Sequence, residues 1–329
     1  MQTCYNIAIA PNGVYVNYSI VLLQSLFDTN QGKDFRIFVM YHSLTEEEKK
    51  RLTDFVQNHG ARCEFVYIDG EKYKKVFEWK ERFSVETYFR LEIQDVFPTD
   101  LERVLYLDGD MIVNRDIDEL YQMDLEGKYL AACGFSPKCE RGDEFNAGMI
   151  LFDMEKMRRD ITFDTYVKLA EELHGDYYQD QGLLNAQFGD TGTKYVWKQK
   201  YNFTCAFYRK YQDAVQKELP GFTVDDAVVL HYPGPGIRPW QAVFSREEYE
   251  KLRDEGVLEL LAMQGFIVDD LYMKLLTIWW DYAKKTPVYE ELQSDMYRMK
   301  SEILEKTLLA TVHTTSYRIG RKIVRLIKR

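Results

Sequence analysis

Short apolar segments alternate with segments of helical period through the first hundred residues, and this alternation leaves the chain few possible folds. Tyr5–Ala10, Phe35–Tyr41 and Cys63–Ile68 are rich in β-branched and aromatic residues and read as strands. Between them Tyr15–Phe27 and Glu46–Asn58 have helical spacing, the second opened by Thr45 ahead of three glutamates. Strands joined through helices at this spacing require right-handed crossovers, which predicts an α/β fold with a largely parallel sheet. Ser84–Phe97 continues as a helix stopped before Pro98, and Arg103–Leu107 is a buried strand ending abruptly in Asp108-Gly109-Asp110. Leu130–Phe135 and Gly148–Phe152 are further strands, and Phe163–Leu173 and Asp180–Phe188 further helices. After the strand Val228–Leu230 a turn-rich piece runs from His231 to Trp240. It divides the expected organisation into a domain of residues 1–240 and a helical region of 241–329, with helices at Arg246–Leu252, Val268–Lys284 and Tyr289–Leu309.

Composition narrows the partners. A net charge of −10 argues against nucleic-acid binding by bulk electrostatics. The sign is uneven: residues 1–240 hold 28 Lys and Arg against 39 Asp and Glu, whereas 241–329 hold 15 against 14. No apolar run approaches the ~20 residues of a membrane span, and the first residues lack the basic and apolar regions of a signal peptide. Five cysteines form no Cys-x-x-Cys pair, so neither a disulfide framework nor a structural zinc site is expected, and a reducing cytosol is the expected compartment.

In an open α/β sheet, ligands gather outside the carboxyl ends of the strands, where Asp108-Gly109-Asp110 lies. Two carboxylates separated by a permissive glycine can reach one hard cation, Mg²⁺ or Mn²⁺. An ordinary acidic turn is the alternative. His231, at a strand end beside a Gly/Pro loop, is either a hydrogen-bonded loop histidine or a third ligand. The glycines that follow would let backbone amides approach a phosphate, with Arg238 to pair with it. Asp180 opens a helix and could be simply its N-cap. Neither G-x-G-x-x-G after the first strand nor G-x-x-x-x-G-K-[ST] is present, which disfavours Rossmann dinucleotide and P-loop chemistry.

In combination and in order, Ile7–Ala10, Ser84–Leu91, Arg103–Asp110, Phe145–Leu151, Tyr178–Asn185 and His231–Trp240 resemble glycosyltransferase family 8. These are retaining nucleotide-sugar enzymes that include bacterial lipopolysaccharide galactosyl- and glucosyltransferases. The resemblance covers residues 4–240 and implies a GT-A fold, a Rossmann-like sheet. It implies that Asp108, Asp110 and His231 hold Mn²⁺ (or Mg²⁺) against the donor diphosphate. Arg90, Gly234 and Arg238 would lie near the diphosphate or sugar, with Leu107 and Gly109 also on the donor side. Ala10, Asn12 and Tyr15 fall where the family binds uracil and ribose, and Asn146, Asp180 and Gln181 would line the sugar and reacting carbon. The implied reaction moves glucose or galactose from a UDP-sugar to a saccharide or lipid-linked saccharide. Because Gln181 is a poor nucleophile, front-face attack is favoured over a covalent intermediate.

The chain departs from the family pattern in places. Asn12 stands after the first strand where many relatives carry Asp, Phe135 where an acid is frequent, Gly182 where Asp is frequent, and Arg238 in place of Lys, shifted by one residue. These changes fall on the base and sugar side and motivate a rival, a non-catalytic nucleotide-sugar-binding subunit of a glycan assembly complex. The intact Asp108, Asp110 and His231 set argues against it. A metal phosphohydrolase would need further carboxylate or histidine clusters.

Residues 318–329 carry six basic side chains and no acid, and Ile319, Ile323, Leu326 and Ile327 share one helical face. Residues 316–329 are therefore expected to lie on an anionic membrane surface, each basic residue contributing ~1 kcal/mol. This places the protein in the cytoplasm, peripheral to the inner face of the membrane. A packing helix is the alternative. Trp279 and Trp280 are either part of that contact or core.

Overall fold

The structure, a computed structural model, describes residues 3–77, 84–134, 144–177, 179–234, 238–241, 246–254 and 269–312. Phe135, Tyr178, Cys139, residues 235–237 and the 316–329 tail lie outside them. The chain divides into two compact units, Met1–His231 and Tyr232–Arg329. The Gly/Pro-rich piece His231–Trp240 begins at the junction of these two units.

The first unit is built on a seven-stranded sheet. Its strands are β1 (Cys4–Ile9), β2 (Asp34–Tyr41), β3 (Arg62–Tyr67), β4 (Arg103–Leu107), β6 (Leu130–Gly134), β7 (Phe145–Asp153) and β8 (Thr193–Val196), in the order β3-β2-β1-β4-β7-β6-β8. Strands β3, β2, β1 and β4 are mutually parallel, β7 runs against both β4 and β6, and β8 is parallel to β6. Only β7 is reversed, so the sheet is mixed and mostly parallel, as the strand–helix alternation requires.

Helix α1 (Val16–Thr29) is buried almost all round, which suits a crossover packed between layers. Helix α2 (Glu46–Asn58) begins in a reciprocal capping box between Thr45 and Glu48. The segment read as one helix, Ser84–Phe97, is instead a 3-10 helix over Val85–Glu92 followed by a short α-helix, Ile93–Val96. Arg90 supplies a reason. Its Nε donates to the Thr87 carbonyl at 3.0 Å, taking the acceptor that an α-helix would offer to the Leu91 N–H.

The short strands Met111–Val113 and β8 escaped the hydrophobic pattern as separate elements. β5 (Met111–Val113) pairs antiparallel with β9 (Val229–His231), joining Met111 directly to His231 across the chain. β5 is docked on α1: the Val113 N–H donates to Ser25 Oγ at 2.9 Å, and the Ile117 N–H to Asn30 Oδ1 at 2.9 Å. The Asp108-Gly109-Asp110 turn is therefore pinned between a sheet strand and a ribbon fixed to a buried helix.

In the second unit the described helices are Arg246–Asp254, Asp270–Ala283 and Tyr289–Val312. Trp279 is wholly buried against Trp240, with ring centroids 5.4 Å apart, so it belongs to the core and not to a membrane-facing surface. The Trp280 indole N–H donates to the Pro239 carbonyl at 3.2 Å. No helix among the described residues is long and apolar enough to cross a membrane.

Candidate active site

Three elements distant in sequence converge at the carboxyl edge of β4. Asp108 follows the last residue of β4, Asp110 precedes β5, and His231 ends β9. One ligand atom from each lies within 4.8 Å of the others, and His231 Nε2 is 3.2 Å from Asp110 Oδ1. Asp110 and His231 are buried, and Asp108 is half-buried.

Asp108 is oriented from behind. Its Oδ1 accepts from Arg90 Nη2 and from the Tyr106 hydroxyl, each at 2.9 Å, while its backbone N–H donates to the Gly148 carbonyl at 2.8 Å. Gly148 leaves room for the ligands. A Cβ there would stand 2.6 Å from His231 Cε1 and 2.8 Å from Asp108 Oδ2, closer than real side chains come. The arrangement fits a hard divalent cation: two carboxylates and an imidazole face a space that only a glycine keeps open.

Arg90 is the hub of the site and is buried, 3% exposed. Besides Asp108 it meets Asp180 Oδ2 through Nε at 3.0 Å, donates through Nη1 to the Ala147 carbonyl, and lies 4.3 Å from the centroid of the Tyr106 ring. Burial works against its charge, but Asp108, Tyr106 and Asp180 outweigh that and hold the guanidinium protonated. Asp180 lies in the first turn of the Gln179–Gly192 helix, and its carboxylate turns to Arg90. Burial pushes Asp180 up to about 6, with Arg90 pulling the other way and the Asp108 charge adding to the rise. Two carboxylates, Asp108 and Asp180, thus share one guanidinium while Asp110 faces His231, and buried negative charge in excess is costly unless a cation is held there.

The remaining expected residues fall in four places. Asn146 and Gln181 join this cluster: Asn146 Nδ2 donates to Gln181 Oε1 at 3.1 Å. Asn185 clamps the helix to β7, accepting from the Phe145 N–H at 2.7 Å and donating to the Phe145 carbonyl at 2.9 Å. Ala10 follows the last residue of β1, Asn12 caps the 3-10 turn Gly13–Tyr15 by accepting from the Tyr15 N–H at 3.1 Å, and the Tyr15 ring lies against Gly109. Of these, Tyr15 therefore reaches the Asp108-Gly109-Asp110 turn. Leu107 is fully buried, its side chain part of the core. Gly234, at φ +85°, and Arg238, whose guanidinium lies 5.9 Å from the Trp240 ring centroid, belong to the second unit.

Four residues at the site carried no clear signal in the chain. Tyr106 sat inside an apolar strand pattern, Gly148 inside another, and Ser19 within a buried helix, where its hydroxyl lies beside Gly109. The fourth, Asn202, is wholly buried and meets His231 Nδ1 through Oδ1 at 2.8 Å.

A mostly parallel sheet with an Asp-x-Asp turn at the end of a central strand, answered by a distant histidine, defines a GT-A glycosyltransferase. Comparison with known proteins agrees. Residues 6–243 match the model of glycosyl transferase family 8, and the chain belongs to that family. It is an enzyme of the hexosyltransferase class. Among curated relatives, it is 24% identical over 240 residues to general stress protein A of Bacillus subtilis, covering 66% of this chain and 80% of that one. It is 24% identical over 246 residues to an Escherichia coli lipopolysaccharide 1,2-glucosyltransferase, covering 69% and 71%. Among solved structures, the galactosyltransferase LgtC, in complex with donor and acceptor sugar analogues, matches with a TM-score of 0.59 at 24% identity, over 71% of this chain and 89% of that one. The glycosyltransferase GlyE of Streptococcus pneumoniae matches with a TM-score of 0.59 at 22% identity, over 93% of this chain and 64% of that one.

Proposed function

We propose that this protein transfers glucose or galactose from a UDP-sugar, with retention of anomeric configuration, to a saccharide or lipid-linked saccharide acceptor in cell-surface glycan synthesis. The observation that carries the reading is the convergence of Asp108, Asp110 and His231 beside the buried Arg90–Asp180 pair. Those three residues would hold Mn²⁺ or Mg²⁺, which when bound neutralises charge growing on the diphosphate leaving group. Arg90 fixes the carboxylate of Asp108 and keeps Asp180 in place. Asn146 and Gln181 are assigned to the sugar, and Tyr15, beside the same turn, is assigned to the uracil and ribose with Ala10 and Asn12. Gly234 and Arg238 are assigned to the diphosphate.

Retention without a strong nucleophile favours front-face attack, in which the acceptor hydroxyl enters on the side the diphosphate leaves. The burden then falls on positioning and electrostatics. Names of relatives support the hexose and glycan assignment, since one is a lipopolysaccharide glucosyltransferase and a similar structure is a galactosyltransferase. The basic 316–329 segment is assigned to an anionic membrane surface at the cytoplasmic face, where a lipid-linked acceptor would sit.

A panel of nucleotide sugars tests the proposal, scored by release of nucleoside diphosphate with and without Mn²⁺. The reading expects release from UDP-glucose or UDP-galactose only with a divalent ion. Metal-independent release, or none from any donor in the panel, would count against it.

A further inference from the structure

The groups behind His231 form one hydrogen-bonded line whose direction the main chain dictates. Backbone N–H groups can only donate. The Ala147 N–H donates to Gln181 Oε1 at 3.2 Å, so the atom there is the oxygen, and Asn146 meets it with Nδ2 at 3.1 Å. Asn146 Oδ1 therefore points the other way. There it accepts from the Gly148 N–H at 3.2 Å and from Asn202 Nδ2 at 2.8 Å. The other atom of the Asn202 amide, Oδ1, faces His231 Nδ1 at 2.8 Å. An amide oxygen only accepts, which puts a proton on Nδ1, so that in the neutral ring the lone pair is on Nε2. Nε2 is the nitrogen on the Asp110 side.

The fold brings Asn202 there by backbone pairing. The Phe203 N–H donates to the Val229 carbonyl at 2.9 Å and the His231 N–H to the Phe203 carbonyl at 2.8 Å, so residue 202 is carried to the end of β9. Asn202 is wholly buried.

We propose that Asn202 is a positioning residue that locks His231 in the Nδ1–H tautomer, so that Nε2 and the Asp110 carboxylate face one another as two lone-pair donors ready for a cation. The polarity of the lock originates in the Ala147 and Gly148 amides and passes through Gln181 and Asn146. The two residues assigned to the sugar thus also set the chemistry of the metal histidine. The inference deepens the proposed function and rests on its assignment of His231 as a metal ligand.

The test is long-range ¹H–¹⁵N correlation of the histidine rings in metal-free protein at about pH 8, where a free imidazole is neutral. His231→Gln identifies the His231 signals among the five histidines. Wild type is expected to show the Nδ1–H form. Asn202→Leu is expected to lose it, with Mn²⁺ affinity down ~10–100-fold. Asn202→Asp, which keeps an acceptor against Nδ1, is expected to restore the tautomer. A wild-type ring protonated at Nε2 overturns the proposal, as does an Asn202→Leu protein with wild-type tautomer and Mn²⁺ affinity. The tautomer is read without metal, so a wild type that binds no Mn²⁺ refutes the metal assignment separately.

Discussion

Gly148→Ala adds one methyl group at the point where the metal ligands come closest to the sheet. The new Cβ would lie 2.6 Å from His231 Cε1, 2.8 Å from Asp108 Oδ2 and 2.9 Å from Met111 Cε. Carbon atoms rest about 3.5–4.0 Å apart, so the His231 contact alone demands a displacement of about 1 Å. Met111 can swing its terminal methyl aside. The other two neighbours cannot yield cheaply. His231 is held by Asn202 through Nδ1, and Asp108 by Arg90 and Tyr106 through Oδ1. Overpacking of this kind costs about 1–3 kcal/mol. If the strain is relieved by parting the ligands, the same energy appears as a loss of ~5–150-fold in metal affinity, since about 1.4 kcal/mol is tenfold. Mn²⁺ titration followed by electron paramagnetic resonance measures the affinity, and thermal unfolding without metal measures the strain left in the fold. A variant with wild-type Mn²⁺ affinity and wild-type stability would show that the ligands do not pack on Gly148, and the site geometry would be refuted.

Other consequences are also open to measurement. Gly182→Asp, which introduces the acid frequent in relatives, is expected to destabilise the protein by about 1–3 kcal/mol in urea unfolding, because a Cβ there meets the Tyr177 backbone at 3.1 Å; unchanged stability would show that the Tyr177 segment yields freely. Asp180 has a folded pKa of about 6, above the ordinary carboxylate value of 3.8. Its protonated form therefore favours folding at low pH, and that contribution, about 3 kcal/mol at 1.36 kcal/mol per unit, is lost as pH rises through about 4–6. Metal-free wild type should accordingly lose stability relative to Asp180→Asn across that window, and parallel pH profiles would contradict the burial argument. Deletion of residues 316–329 is expected to release the protein from anionic vesicles in a flotation assay while donor hydrolysis continues, and equal flotation of both forms would exclude the tail as the anchor.

How much of this was legible beforehand depended on whether the signal was local. Strands β1, β2 and β4 and helices α1 and α2 announce themselves by period and capping, because each buries a face wide enough to impose a pattern, whereas β3, at most half-buried, shows itself by its aromatic and β-branched residues. Thr45 and Glu48 even identify the first turn of α2. β5 and β8 do not announce themselves: three or four residues are too few for a period, and both exist because a partner strand offers hydrogen bonds. The Val85–Glu92 segment has helical spacing, yet the demand of a buried Arg90 for the Thr87 carbonyl tightened its turn.

The same distinction runs through the site. Asp108 and Asp110 were visible because two acids end an apolar strand, and His231 because it stands at a strand end before glycines and prolines. Their meeting depends on β5–β9 pairing, which no local pattern encodes. Tyr106 and Gly148 look like ordinary strand residues until the fold sets a hydroxyl on Asp108 and a missing side chain under His231. Asn202 had no signal at all, and a buried amide gains meaning only from what lies on each side of it.

The central claim is that Asp108, Asp110 and His231 together grip one divalent cation beside the nucleotide diphosphate. Mn²⁺ binding in the presence of UDP, compared between wild type and Asp110→Asn, tests it most directly, because the amide keeps the shape of the carboxylate and removes its charge. One tightly bound ion per wild-type chain, and none in a variant with an unchanged near-ultraviolet spectrum, is the predicted result. Equal Mn²⁺ occupancy in the two proteins would contradict it.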